Sequence, residues 1–559
     1  MNSFKYIFLL LLMTTFMISC SREKFAEMNT DPDDVLTVNP EQEFTSALTA
    51  INGSDFEYYY DYNRAMYYWT QTFVTMNGAS ATVYEGSGNL NQRYSNFYTH
   101  VGNQLKDVQQ LIEKKSGSDR EKYTYLYAIT YIPMAYYAAY VSDVQGSIAY
   151  TEAFLARYTG LLTPKYDAQD VLFDTLQAQL KRSVATLKTN PTVAQANLGN
   201  QDIYYGGNVS YWIKAANSLR LRLAMRLINR DAAKMKTLVS EILADDGGLI
   251  SANDENWQLE AASTYAKGGN YNPESNGNVS GARNYIDFML NTADPRVRIF
   301  FQQSFTKDQF DSAKAQKILP DTLQWDGKFY RGQFANPAKS TDPTVNYYYS
   351  ALKFSYNGAS VTKRWVSEIQ DSLFYNPTGH HSITFPIITY ADVCFMRAEL
   401  AVRGITNEDA QTLYYAGVSA SVSAYDRMGK IAGVSGYQAL SADEIAAYIT
   451  SPGVKYDAAN ALEQICVQEY INSFKNQNEA WAIIKRTGFP SQTGIILKRE
   501  PVVVDSDEKV MPRRFSVSYP SVSDLNYANR LAAIDEMVKE TGFSTPDDIK
   551  GRVWWDTAY

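Results

Sequence analysis

Along most of the chain, apolar residues return at every third or fourth position. That spacing predicts amphipathic helices over 41–50, 58–76, 92–115, 119–141, 168–188 and 208–229, with Asn77-Gly78 stopping the second of them. After a long irregular centre the same period resumes at 389–403, 407–427, 440–449, 457–475 and about 478–486. A short polar turn (SGSD) joins 92–115 to 119–141, and Pro191 and Gly206-Gly207 punctuate the next pair. Long helices joined by short turns predict antiparallel hairpins of the tetratricopeptide kind, although no clean repeat of about 34 residues is visible. The fold class expected is therefore mainly α, built from helix pairs.

The centre, about 251–385, breaks the period. It scatters Gly, Asn, Ser and Pro among aromatics, as in "NWQLEAASTYAKGGNYNPESNGNVSGARNY", "LQWDGKFYRGQFANP" and "TVNYYYSALKFSYNG". Loops this long are functional or disordered, and their aromatic content argues against disorder. Long, ordered, loop-rich excursions on one face of a helical scaffold are expected, with the scaffold itself at 41–250 and 386–559.

The first twenty residues follow another pattern. Lys5 is their only charge, and Tyr6 to Ile18 are apolar apart from Thr14 and Thr15. That run is shorter than the roughly 20 residues a membrane-spanning helix needs and has the length of a signal-peptide core. Ser19 and Cys20 end it, which resembles the bacterial lipobox; Met17 and Ile18 depart from the usual residues there. The expectation is a signal peptide over 1–19, a lipid on the Cys20 sulfur, and a polar, Pro-punctuated tether over 20–40 ahead of one domain, 41–559. Two or more acyl chains anchor a soluble body stably, and no later run is long and apolar enough to span.

Composition narrows the function. A net charge of -8 argues against a nucleic-acid partner, which would call for a basic patch. Three cysteines (Cys20, Cys394 and Cys466) form no metal spacing and no disulfide framework, and the last two read as buried small hydrophobes. Aromatics reach 14%, and the 43 tyrosines outnumber the 25 phenylalanines. Tyrosine suits half-wet binding faces; the plainer reading is packing between helices with the hydroxyl at the rim.

Several stretches together are distinctive: "FAEMNTDPDDV" after the lipobox, "DIYYGGNVSYWIKAANSLRLRLAMRL", "TADPRVRIFF", "ITYADVCFMRAELAVRG", "NEAWAIIKRTGFP" and "MPRRFSVSYPSVSDLNYAN". In this order they resemble the SusD/RagB family of nutrient-binding outer-membrane lipoproteins, in its SusD-like branch. The resemblance runs from Cys20 to about Asn529. It implies four tetratricopeptide-like pairs with loop-built excursions, an outer-membrane location facing outward, and a TonB-dependent SusC-like transporter as partner. Some relatives are thought to serve peptides. The same stretches also have plain physical readings. Arg222, Arg226 and Arg230 form a stripe best suited to inter-helix ion pairs, Asp392 fits a helix first turn, and Gly488 reads as a C-cap.

No HExxH, GxSxG or GxxxxGK[ST] pattern is present, and the only histidines are His100, His380 and His381. A glycosidase carboxylate pair leaves no signature in one sequence. The expected protein is not an enzyme, and no cofactor or metal is expected. Sugar capture needs aromatic platforms for the C–H face and amides or charged groups for the hydroxyl edge. The loops supply Trp257, Tyr271, Asn272, Trp325, Tyr330, Arg331 and Tyr347, and an earlier loop supplies Tyr84. These are the candidate ligand contacts, for an oligosaccharide or a peptide. The alternative is a lid or assembly subunit of the transporter with little ligand contact.

Overall fold

The computed structural model describes residues 38–76, 89–276, 279–504, 506–540 and 542–557. Cys20, the expected signal peptide, most of the tether, and Asn77 and Tyr84 lie outside the described residues. Helix α1 (Pro40–Ile51) opens with proline in its first turn, where the missing N–H costs nothing, and buries Phe44, Ala47, Leu48 and Ile51. Helix α2 runs over 55–70 in three consecutive pieces: Asp55–Glu57, a π-type segment Tyr58–Met66, and Tyr67–Thr70. It ends short of the predicted 76. Gln71 turns left-handed at φ 62°, and Phe73–Thr75 leave as strand β1. The reason is a distant partner: β1 pairs antiparallel with β3 (Val279–Gly281).

Helix α3 spans 92–113, again with a π-type segment at Phe97–Val101. Then come α4 (Thr124–Gln145), α5 (Gln169–Leu187), α6 (Val209–Arg226) and α7 (Ala232–Leu243). The centre carries the short helices α8 (Arg283–Asn291) and α9 (Lys307–Ala315), with a single helical turn at Val297–Phe300 between them. The scaffold resumes with α10 (Tyr390–Val402), α11 (Ala410–Ile431), α12 (Ala442–Thr450), α13 (Ala461–Asn472) and α14 (Gln477–Thr487), and α15 (Tyr527–Met537) follows. α7, α8, α9 and α15 are additions to the predicted set.

Each scaffold helix packs on its neighbour: α1 on α3, α3 on α4, α4 on α5, α5 on α6, α10 on α11 and α13, and α13 on α14. The two stretches of scaffold meet where α6 packs on α10 and α14 packs on α2. Within the α10–α11 pair the backbones come close because Gly417 has no side chain. A Cβ there would sit 2.7 Å from the Phe395 ring. α14 stops at Gly488, which adopts φ 80° and closes the helix with its N–H on Ile484.

The central excursion is pinned at its base. Strand β2 (Trp257–Glu260) carries the chain out, β6 (Thr384–Ile388) brings it back, and the two pair antiparallel. At its far end, β4 (Ala351–Tyr356) and β5 (Ala359–Arg364) form a hairpin through Asn357 and Gly358, both with positive φ. This is the residue pair a two-residue hairpin turn favours. Phe305, Phe310, Leu352, Phe354 and Trp365 make a small core of their own beneath that hairpin.

The scaffold core is not purely apolar. Arg226 of α6 reaches Asp143 of α4 at 3.0 Å and Glu479 of α14 at 2.8 Å, and Arg222 reaches Asp392 of α10 at 3.0 Å and Glu479 at 3.6 Å. All five side chains are largely buried. Asp392 also accepts from the N–H of Thr389 in the α10 capping box and from the amide of Asn472. Burial alone would raise the Glu479 carboxyl, but Arg222 and Arg226 hold it down at about 2. Arg230, the third of the stripe, pairs with Glu540 at 3.3 Å, less deeply. Cys394 and Cys466 are buried free thiols.

Replacing Glu479 by Gln leaves two buried guanidinium groups short of a counter-charge. The expected loss is about 3–5 kcal/mol of unfolding free energy, read by urea denaturation at pH 7. The exposed pair Arg427–Glu260, at 2.6 Å, serves as the control. Glu260→Ala should cost no more than about 1 kcal/mol, and equal losses in the two variants would remove the special standing of Glu479.

Candidate functional site

On α2, Phe56, Tyr60 and Arg64 stand four residues apart and share a face. Phe56 is 51% exposed and stacks on Tyr60, with ring centroids 5.9 Å apart and planes within 15°. Tyr59 meets Tyr60 edge-on at 4.8 Å, and the Arg64 guanidinium lies 5.8 Å from the Tyr59 ring centre. Tyr59, Tyr60 and Arg64 are half-buried. The result is a helix-borne strip of rings ending in a cation. It offers flat apolar faces together with N–H and O–H groups.

The opposite face of α2 is buried and charged. Glu57 accepts hydrogen bonds from the hydroxyls of Tyr137 and Tyr140 on α4, at 2.5 and 2.6 Å. Burial, only partly offset by Arg93 and these hydroxyls, pushes its carboxyl up to about 7. Asp61 accepts the backbone N–H groups of Asn91, Gln92 and Arg93 at 2.8, 3.1 and 3.3 Å, and the Arg93 Nε at 3.0 Å. A carboxylate from α2 thus satisfies the free N–H groups at the start of α3. Arg93 lies 3.8 Å over the Tyr140 ring and donates to Asn478 at 2.7 Å. The ring strip is therefore held from behind by α3, α4 and α14.

From the centre, the segment 263–274 comes alongside. Asn63 donates to the Asn270 carbonyl at 3.2 Å, and Asn270 donates to Asp55 at 2.9 Å. The Tyr271 hydroxyl donates to the Asn52 carbonyl at 3.0 Å, and its ring packs on Tyr58 at 5.2 Å. Asn272 accepts the Glu274 N–H at 3.0 Å, turning the chain. Glu274 in turn accepts the N–H of Val279 in β3 at 3.1 Å. Burial first, and then the charge of Glu368, push the Glu274 carboxyl up to about 8.

A family model described as SusD-like, "Starch-binding associating with outer membrane", matches residues 32–520. The chain belongs to the SusD-like family. Solved structures with the same fold include a chitin-binding protein at 21% identity and TM-score 0.71, covering 93% of this chain and 100% of that one. A chitin-binding SusD homologue from Flavobacterium johnsoniae matches at 21% identity and TM-score 0.64, covering 93% and 99%. A SusD homologue from Bacteroides fragilis NCTC 9343 matches at 22% identity and TM-score 0.64, covering 94% and 100%. No curated protein sequence matches the chain significantly.

In this SusD-like scaffold the residues singled out from sequence separate into groups. Tyr271 and Asn272 adjoin the α2 strip, although Tyr271 is itself buried and ties the segment down. Trp325, Arg331 and Tyr347 gather around Trp365 in the small core below the β4–β5 hairpin. Arg331, 4% exposed, is sandwiched between Trp365 at 4.0 Å and Trp325 at 5.0 Å. It bonds Asp326 and Ser304, so its donors are spent within the loop. Trp325 packs on Phe310 and Tyr347 on Trp365, each half-buried. Phe329, beside Trp325, is 43% exposed. Tyr330 is half-buried against the main core.

Trp257 needs correction as a ligand platform. It begins β2, is 0% exposed, and is covered by Tyr136, Tyr204 and Trp212 at 5.4, 6.2 and 5.6 Å. A ring enclosed on all sides stabilises the core and has no face for a sugar. The residues missed were Phe56, Tyr59, Tyr60 and Arg64. The recurrence Phe56–Tyr60–Arg64 at four-residue spacing is their signal in the sequence.

Glu57 gives a pH test of how the strip is supported. Its folded value of about 7 lies above that of an unfolded glutamate. Its contribution to stability is therefore fully present below about pH 4.5 and is lost as pH rises through about 7. Glu57→Gln removes this dependence. The stability of the variant relative to the parent should rise by up to about 3 kcal/mol between pH 4.5 and pH 8, measured by urea denaturation across that range. A constant difference would mean that Glu57 is ionised throughout.

Proposed function

We propose that this chain is an outer-membrane, outward-facing lipoprotein, anchored through Cys20, that captures a glycan and passes it to a SusC-like TonB-dependent transporter. Capture is by ring stacking and hydrogen bonds, without bond cleavage. The single observation that carries the binding role is the strip Phe56–Tyr59–Tyr60–Arg64, exposed at Phe56 and half-buried beyond it, on a SusD-like scaffold. A pyranose ring has an apolar C–H face that suits Phe56 and Tyr60 and a hydroxyl edge that suits Arg64. The family's description as starch-binding, and relatives named as chitin-binding, support a glycan over a peptide. The family's association with the outer membrane supports the location, and the sequence at Ser19-Cys20 supports the anchor.

The test uses the mature chain with chitohexaose and maltohexaose in isothermal titration calorimetry. Phe56→Ala and Tyr60→Ala should each weaken binding about 10-fold, roughly 1.4 kcal/mol, while co-purification with the transporter stays intact. Unchanged affinity in both variants, with the transporter complex intact, would favour the lid role. Cys20→Ala should release the chain from the membrane fraction and abolish palmitate labelling; a labelled, membrane-bound variant would refute the anchor.

A further inference from the structure

A groove of about 730 Å³ runs between α1 and α3, with Phe56 in its lining. Its size falls within the range of small-molecule sites, about 300–1,000 Å³. Among the described residues that line it, none is Asp, Glu, Lys or Arg. This sets it apart from the rest of a chain with 112 such residues, 52 basic and 60 acidic. Hydroxyl and amide side chains take their place, with His100 as the one titratable side chain in the lining.

Several of these side chains spend a hydrogen inward. The hydroxyls of Thr49 and Thr99 donate to the carbonyls of Thr45 and Ser95, four residues back on their own helices, at 2.8 and 2.7 Å. The Gln92 amide donates to the Asn89 carbonyl at 2.8 Å, and the Gln104 amide donates to the Ser46 hydroxyl at 2.8 Å. Their oxygens keep lone pairs for a visitor. The Gln104 Oε1 is buried and accepts nothing among the described residues, and its side chain must turn to present it to the groove. A buried acceptor without a donor costs free energy comparable to a lost hydrogen bond.

Such a groove is completed by a ligand that brings donors without charge. A cation would bring donors, but no carboxylate is there to neutralise it. An anion would face those acceptors, with His100 as the one group there able to carry a positive charge. A peptide backbone brings a carbonyl for nearly every N–H. Sugar hydroxyls rotate to donate wherever an acceptor waits, and the exposed Phe56 ring meets the C–H face. We infer that the α1–α3 groove binds an uncharged oligosaccharide, as a second contact region continuous with the α2 strip through Phe56. The inference rests on the glycan-capture reading and adds the ligand's charge class and a path along the scaffold.

Thr49→Val and Gln104→Met remove acceptors at nearly constant volume from surface or half-buried positions, and matching melting curves would confirm that both variants fold. The probes are chitohexaose, maltohexaose, cellohexaose and xylohexaose, with trigalacturonate as the charged comparator, in calorimetric titrations of the mature chain. Crystals soaked in the best neutral probe locate it. The expected result is a neutral hexasaccharide bound by the parent, about 10-fold weaker in each variant, with sugar density in the groove. Trigalacturonate should bind at least about 10-fold more weakly than the neutral probe. Full affinity in both variants with density only on the strip overturns the groove and leaves the capture reading standing. Trigalacturonate binding as tightly overturns the charge class. Density for the chain's own residues in the groove overturns the site, and binding of no neutral probe overturns both readings.

Discussion

The architecture depends on charges buried where the helices cross. Arg226 and Arg222, one turn apart on α6, share Glu479 of α14 and hold Asp143 of α4 and Asp392 of α10. Asn478, next to Glu479, donates to Asp143 and accepts from Arg93, which holds Asp61. One connected network therefore links α2, α3, α4, α6, α10 and α14. Buried pairs add little net stability over apolar packing, because desolvation offsets the attraction. Their geometry is exacting, however, and an unpaired member is costly. The network thus sets how the helices are rotated against one another, which apolar contacts alone leave looser. It also reaches the strip: Asp61 lies on the rear face of the helix whose front face carries Tyr60 and Arg64.

The excursion spends most of its aromatic residues on itself. Trp365, Trp325, Tyr347 and Phe310 enclose Arg331 and the base of the hairpin, and Tyr271, Tyr265 and Phe385 bind the 263–274 segment to α2. A loop region of this length carries many backbone polar groups and must supply its own core to stay ordered. Ring content in such loops is first a folding requirement. What remains for a ligand is the subset left exposed, chiefly Phe329 in the excursion and Phe56 on α2. Sites on helices hold their geometry better than sites on loops, so a strip on α2 is a firmer platform than the loops that flank it.

The helix pairs were legible because burying one face imposes a period of three to four on the sequence. Pairs such as α3–α4 and α10–α11 carry that period over several turns. The end of α2 was not legible, since the choice of strand at Phe73 depends on Gly281, far along the chain. The hairpin at Asn357-Gly358 had a local signal that the surrounding tyrosines obscured. Among the site residues, composition could nominate rings and could not tell an enclosed ring from an open one. Trp257 and Phe56 are both aromatic residues in polar surroundings by sequence. One is closed in by β6 and α4, and the other faces solvent, because only the tertiary packing decides.

The strip and the groove meet at Phe56 and differ in hydrogen-bonding character. At the Arg64 end the guanidinium donates and accepts nothing, beside the Tyr59 and Tyr60 hydroxyls, which can do both. At the groove end, Thr49, Thr99 and Gln92 turn a hydrogen inward and keep oxygens that can accept. A ligand lying across both must accept at one end and donate at the other, with a flat apolar surface between. A chain of sugar rings meets all three conditions in either direction, because every hydroxyl can do both. Recognition of this kind selects for a sugar's general chemistry and tolerates variation in linkage. The segment 263–274 borders the strip through Asn63, Asp55 and Asn52, so a change there would alter the rim of the strip and leave the charge network beneath α2 in place.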